Sequence, residues 1–203
     1  MVKVILLIIS LFSCQMVFAQ KTNTNDTLTL DMDLDGKKDT VVFDRVKAII
    51  TCKLSTQNFK SIESNELDFE EYHSGISEIK NGFSYRVPRM RAGYHMDFQY
   101  NKIVKKVQLV QMDRYEFGPA NNDGSGDSRI NLLTNDYEGD WNYYDMDLSK
   151  LIKIPTIKRK MIFPKTYLDH LDDTIVYRYS EKCATIFNEE KTKMLKAKAF
   201  KKT

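Results

Sequence analysis

Along most of this 203-residue chain, apolar and polar positions alternate with a period of two, the spacing of strands that bury one face. The clearest stretch is 93–117. Residues 93–100 alternate and turn at Asn101-Lys102. They are answered by 104–117, where Val107, Leu109, Gln111 and Asp113 alternate loosely with their neighbours. The same pattern predicts strands at 27–30, 40–43, 47–54, 129–133 and 138–144, and a weaker one at 57–62. Residues 75–80 and 83–87 flank Asn81-Gly82, a dipeptide that favours tight hairpin turns. Residues 65–73 are acidic and fit a loop or a short strand. The run GPANNDGSGD, 118–127, is too rich in glycine and polar residues to hold regular structure and predicts an exposed loop.

The C-terminal third is patterned less regularly. Residues 145–154 read as irregular, with one helical turn at 148–151. Residues 164–171 predict a short helix that starts at Pro164 and carries Tyr167, Leu168 and Leu171 on one face. Beyond it, 174–179 and 183–187 read as strands, 188–193 as a polar turn and 194–200 as the return strand of a last hairpin. A C-terminal helix competes there, because Glu, Lys, Met, Leu and Ala are good helix formers. Together these elements predict a mainly β protein. Its antiparallel hairpins would form a single barrel-, sandwich- or propeller-like domain with a short helix near the C-terminal third. No internal repeat or proline-rich linker divides it.

Composition adds little to that picture except at the N-terminus. Eleven Tyr and eleven Phe favour β-structure, and a net charge of +3 is too small to argue for nucleic acid or an anionic membrane as partner. Lys3, the apolar run 4–12 and Val17-Phe18-Ala19 before Gln20 read as a secretory signal peptide over 1–19, followed by one domain over 20–203. That predicts an exported protein, periplasmic or extracellular, with no transmembrane segment in its mature form. A second processing site competes. Leu11-Phe12-Ser13-Cys14 partly resembles a lipobox, which would leave a lipoprotein anchored through Cys14. Cys52 and Cys183 follow the signal. An oxidising compartment admits a disulfide between them, and two buried free thiols are the other reading.

The densest chemistry is the run LTLDMDLDGKKDTVVF, 28–43. Asp31, Asp33, Asp35 and Asp39 occupy positions 1, 3, 5 and 9 of a loop with Gly36 at position 6. Carboxylates at odd positions can converge on one cation, the glycine permits the sharp turn, and the Lys37 carbonyl can add a backbone oxygen. Clustered carboxylates repel one another unless a cation lies between them, and Ca²⁺ takes six to eight hard oxygens. Position 12 is Val42 rather than the bidentate Glu of an EF-hand, and both flanks read as strands. This strand–DxDxDGxxD–strand arrangement resembles the calcium loops of FG-GAP and VCBS-type β-repeats, which commonly carry Gly where this chain has Leu34.

Other candidates are sparser. His73, His95 and His170 stand alone, without a zinc spacing. Ser125 lies between two glycines but lacks the frame of a nucleophile turn. Tyr137, Trp141, Tyr143 and Tyr144 offer either a sugar-stacking surface or core. Asn121, Asn122, Asp123, Ser125 and Asp127 form a candidate partner-binding loop. Taken with GPANNDGSGDSRINLLT, the calcium loop resembles a secreted, mostly β bacterial family that includes periplasmic inhibitors of lysozyme-like enzymes. The resemblance implies Ca²⁺ bound through Asp31, Asp33, Asp35 and Asp39 with the Lys37 carbonyl. It also implies a non-enzymatic binding module whose partner is a protein or a cell-wall carbohydrate, not nucleic acid. The alternatives are a carbohydrate-active hydrolase using two of the many carboxylates, or a cell-surface structural lipoprotein.

Overall fold

The computed structural model describes residues 25–200 apart from 69, 71 and 72. The expected signal peptide and Cys14 therefore lie outside the described residues. Two antiparallel sheets account for every strand, and neither closes into a barrel. The smaller sheet takes β1 (Asp26–Leu30), β2 (Asp39–Asp44), β3 (Ile49–Lys53) and β4 (Ser61–Glu63) in chain order. The larger takes β5 (Gly75–Ile79), β6 (Gly82–Pro88), β7 (Ala92–Asn101), β8 (Lys106–Glu116), β9 (Gly126–Asn131) and β10 (Asp136–Asp145), again in order. β11 (Lys150–Lys153) and β12 (Ile157–Lys160) then run in line along the far edge of β10. The pairing shifts by one residue between Lys153↔Asn142 and Ile157↔Gly139, and Pro155, which has no N–H to donate, sits in that bulge. Residues 145–154 are thus not irregular: β10 and β11 form a hairpin there.

One turn recurs through this meander. Asp44, Asn101, Asn131 and Asp145 each end a strand, and each accepts backbone N–H groups two and three residues ahead through its Oδ1. Four residues after each of them the backbone is left-handed, at Ala48, Lys105, Asn135 and Ser149. The carboxylate or amide does locally what a ladder partner would do, which fixes the turn and with it the strand register. The hairpin expected around Asn81-Gly82 is present, with Lys80-Asn81 as its turn and Asn81 left-handed.

The larger sheet buries one face. Phe83, Tyr85 and Val87 of β6, Tyr94, Met96 and Phe98 of β7, and Leu109 and Met112 of β8 point to that side. The smaller sheet covers part of it, with Phe43 against Tyr85 at 5.0 Å between ring centroids. β1 lies beside β5, where the Asp26 carboxylate sits over Gly75 so closely that a Cβ there would fall 2.3 Å from Oδ2.

The rest of the buried face is covered by α1 (Thr174–Phe200), a single 27-residue helix. This corrects the expected strands at 174–179 and 183–187 and the hairpin closed by 194–200, and favours the competing C-terminal helix. Ile175, Tyr179, Cys183 and Phe187 recur every four residues, and the first three are buried. Tyr179 meets Ser128 at 2.9 Å, and Phe187 packs on Trp141. Beyond Phe187 the same face continues as cations. Lys191 reaches Asp123 at 2.7 Å, and Lys198 reaches the buried Asp145 at 2.6 Å. Apolar periodicity alone loses the helix at that point. The short helix expected at 164–171 is a 3₁₀ turn, Leu168–His170.

Replacing Asn131 by Ala removes the acceptor for two turn N–H groups. We expect it to lower stability by about 1 kcal/mol, read as a lower urea midpoint with an unchanged m-value.

Candidate metal centre

The β1–β2 connection folds back on itself through two left-handed residues, Leu34 (φ 60) and Gly36 (φ 87). Leu34 therefore adopts the backbone that glycine takes most easily, at the position where the resembling repeats carry Gly. The turn gathers its acids around backbone donors. Asp31 accepts from the N–H of Asp35 at 3.1 Å and of Gly36 at 3.0 Å. Asp39, fully buried, accepts from Met32 at 2.8 Å, Asp33 at 3.2 Å and, across the sheet, Ser55 at 2.8 Å.

Asp33 is 4% exposed, and only one of its oxygens is satisfied. Oδ2 accepts from the hydroxyl and N–H of Thr56, whereas Oδ1 is buried without a hydrogen-bond partner. Carboxylate oxygens of Asp31, Asp33 and Asp39 lie within 4.8 Å of one another. These three residues can hold a metal ion. A buried carboxylate oxygen without a donor is costly, and a cation beside its neighbours would offset that cost. The donors are all hard oxygens, the set suited to Ca²⁺ or Mg²⁺ rather than to Zn²⁺.

Asp35 stands apart from the trio. Its carboxylate is exposed and accepts from the Ser55 hydroxyl and from the Lys37 N–H, both at 2.8 Å, and those bonds hold its pKa below the ordinary carboxylate value. Lys37 takes part through that N–H. Ser55 and Thr56, which begin a 3₁₀ turn after β3, are the site residues that sequence reasoning missed. Their only signal is a Ser-Thr pair after a strand, more than fifteen residues from the acidic run. The Cys52 thiol, next in the core, is pushed up to about 12 by burial and then by the charges of Asp39 and Asp33.

Other candidates disperse. Cys52 and Cys183 are both free and buried in separate surroundings: Cys52 Sγ lies 3.9 Å from Met32 Sδ, and Cys183 Sγ lies 3.5 Å from Ser128 Oγ. The disulfide reading is thereby corrected, since the first thiol belongs to the smaller sheet and the second to α1. Tyr137, Trp141 and Tyr143 are core, and the Trp141 indole donates to the Tyr137 hydroxyl at 2.8 Å. In the loop 121–127, Asn121, Asn122 and Asp127 are exposed. Asp123 is tied to Lys191 and to the Tyr144 N–H, while Ser125 is held by Asn142.

On its uncovered face the larger sheet forms an open polar trough of about 640 Å³. Two rows of cross-strand neighbours line it, Ser84–Asp97–Gln111 and His95–Asp113–Arg129. The Gln111 amide nitrogen is 2.8 Å from Asp113 Oδ2 and 3.5 Å from Asp97 Oδ2, and Arg129 holds Asp113 at 2.7 Å. Burial raises the Asp97 pKa, with a smaller contribution from Asp113. Strict alternation would group Gln111 and Asp113 with Val107 and Leu109; the bulge opposite Asp97 and Phe98 turns them to the uncovered face instead.

Compared with protein-family profiles, with curated proteins and with solved structures, the chain matches none. Among the described residues no helix is long and apolar enough to cross a membrane.

Leu34→Gly relieves a left-handed leucine that is half exposed. We expect a gain of about 0.5–1 kcal/mol in the metal-free protein, read from chemical denaturation in chelator.

Proposed function

We propose that 31–39 is a calcium site and that the protein is an exported, calcium-stabilised binding module without catalytic activity. The observation that carries this reading is the buried, unpartnered Oδ1 of Asp33 beside Asp31 and Asp39. Asp31, Asp33 and Asp39 are the carboxylate ligands. The Lys37 carbonyl adds an oxygen, Asp35 joins the shell by turning in from Ser55 when the ion binds, and Ser55 and Thr56 orient the acids from behind. Bound Ca²⁺ supplies charge neutralisation and a fixed loop. The partner is a protein, such as a lysozyme-like enzyme, or a cell-wall carbohydrate, and the polar trough is the surface that receives it.

Ca²⁺ that binds only the folded chain raises stability by RT ln(1 + [Ca²⁺]/Kd), about 2.7 kcal/mol at a hundredfold excess. We expect ~1 mM Ca²⁺ to raise Tm, with Kd on the order of 10⁻⁴–10⁻³ M as in extracellular modules. Chelator should reverse the gain, and Mg²⁺ should reproduce little of it. Asp33→Asn should remove the response, whereas Asp35→Asn should only weaken it. A Tm indifferent to Ca²⁺ and chelator, together with no calorimetric binding, would refute the site.

A second reading, a glycoside hydrolase, draws on the Asp97–Asp113 pair sharing Gln111 in the trough. Asp97, with its raised pKa, would serve as the acid, and Asp113, paired with Arg129, as the base or nucleophile. Release of reducing ends from cell-wall polysaccharide by the wild type, lost in Asp97→Asn, distinguishes it from the binding module.

A further inference from the structure

A second, smaller cavity lies where the start of α1 meets β7 and β8, away from the metal loop, and it shares Tyr94, Arg114 and Tyr115 with the border of the trough. Its volume is about 160 Å³, and its walls include Tyr94, Tyr115, Tyr177, Asp173, Arg89 and Arg114. Two polar atoms here are buried without a partner among the described residues, the hydroxyl of Tyr94 and Oδ1 of Asp173. Tyr94 is itself only 9% exposed. The other Asp173 oxygen is satisfied, accepting from the Asp68 N–H at 2.6 Å.

The charges around the cavity do not close. Arg89 is paired with Asp68 and lies 3.6 Å from Glu70, and Arg114 is paired with Glu116 at 2.8 Å. Both guanidinium groups are thereby matched, which leaves the Asp173 carboxylate as the wall charge without an ion pair among the described residues. A buried carboxylate oxygen beside a cavity attracts a cation that carries N–H donors. An arginine side chain would exceed the space left by the pairs already present. A primary ammonium has three donors on a compact head and an apolar tail suited to the Ala92, Gly93 and Val176 part of the wall.

We propose that this cavity binds a small primary amine, whose ammonium donates to Asp173 Oδ1 and to the Tyr94 hydroxyl oxygen. The site is independent of the calcium loop, and each can fail without the other. Burial raises the Asp173 pKa to about 6, helped by Asp172 and Glu66 and opposed by Arg89. Of the neighbouring groups, burial pushes the Tyr94 and Tyr85 hydroxyls up, away from this range. Affinity therefore falls as pH drops through about 6, because the ligand needs the ionised carboxylate.

The test is isothermal titration of the full domain in Ca²⁺ buffer at about pH 8, with butylammonium, tetramethylammonium and 1-butanol as probes. We expect saturable binding of butylammonium, weaker binding of tetramethylammonium, which has no N–H, and none of butanol. Tyr94→Phe should weaken butylammonium about tenfold through loss of one charge-assisted hydrogen bond. Asp173→Asn should abolish binding.

That variant also reports on folding. The carboxyl of Asp173 holds its proton more tightly in the folded state than at its ordinary 3.8. Its ionisation therefore opposes folding as pH rises through the window between 3.8 and about 6. Asp173→Asn should raise Tm above that window and leave it unchanged below it, which shows a folded protein that has lost its ligand. No butylammonium binding by the wild type, equal binding of butanol, or binding that survives Asp173→Asn overturns the proposal.

Discussion

The meander rests on one repeated local contact, an Asp or Asn at the end of a strand that accepts the N–H groups of the turn ahead of it. Asp44, Asn101, Asn131 and Asp145 each make it. A hairpin register that slips by one residue turns every side chain to the opposite face. In a sheet with aromatic residues on one side and charges on the other, such a slip would bury His95, Asp113 and Arg129 and expose Tyr94, Met112 and Ile130. The turns and the binary pattern therefore specify the same register independently. Asp145 carries a further load. It is buried, closes the β10–β11 turn and receives Lys198 from the last turns of α1, whose ammonium holds its carboxyl below the ordinary value. A lysine near a helix C-terminus is also favoured by the helix dipole.

The strands were largely legible in the sequence because one-sided burial imposes a period of two. The hairpin from β7 to β8 was placed within two residues at each end. What escaped was information that alternation does not carry. The recurring turn has no fixed sequence between its Asx and its left-handed residue, since Ala48, Lys105, Asn135 and Ser149 share no chemistry. It therefore does not register as a repeat. The helix was missed because its inward stripe gives way to lysines beyond Phe187. Lys191 and Lys198 face Asp123 and Asp145, acids contributed by distant loops, and nothing local distinguishes them from solvated lysines. The acidic loop was legible as a set of carboxylates but not as a geometry. Position 5 of the motif turned outward to Ser55, while positions 1, 3 and 9 converged.

Position 9 explains why the loop holds its shape from within. Asp39 begins β2, and its two oxygens accept three N–H groups, two from the loop and one from Ser55. It acts as a template around which Met32 and Asp33 are ordered before any ion is considered. The charge that this concentrates is felt at Cys52, whose thiol is driven further from ionisation and remains a small apolar core group. A thiol so placed is a poor nucleophile, which fits its position deep in the smaller sheet.

These contacts also set how far an ion in the loop can act. The loop is tied through Ser55 and Thr56 to the β3–β4 connection, so a cation would brace both connections at that end of the smaller sheet rather than the β1–β2 turn alone. That sheet joins the larger one in one continuous apolar core, where Phe43 packs on Tyr85, and Arg45 joins Asp26 at 3.0 Å and the Ser74 carbonyl at 2.8 Å, beside the close approach at Gly75. The larger sheet and α1 contribute Tyr137, Trp141 and Tyr179 to the same core. The residues that an ion in the loop would order directly lie within 26–63, and hydrogen exchange in β1 to β4 is the measurement that would report it first.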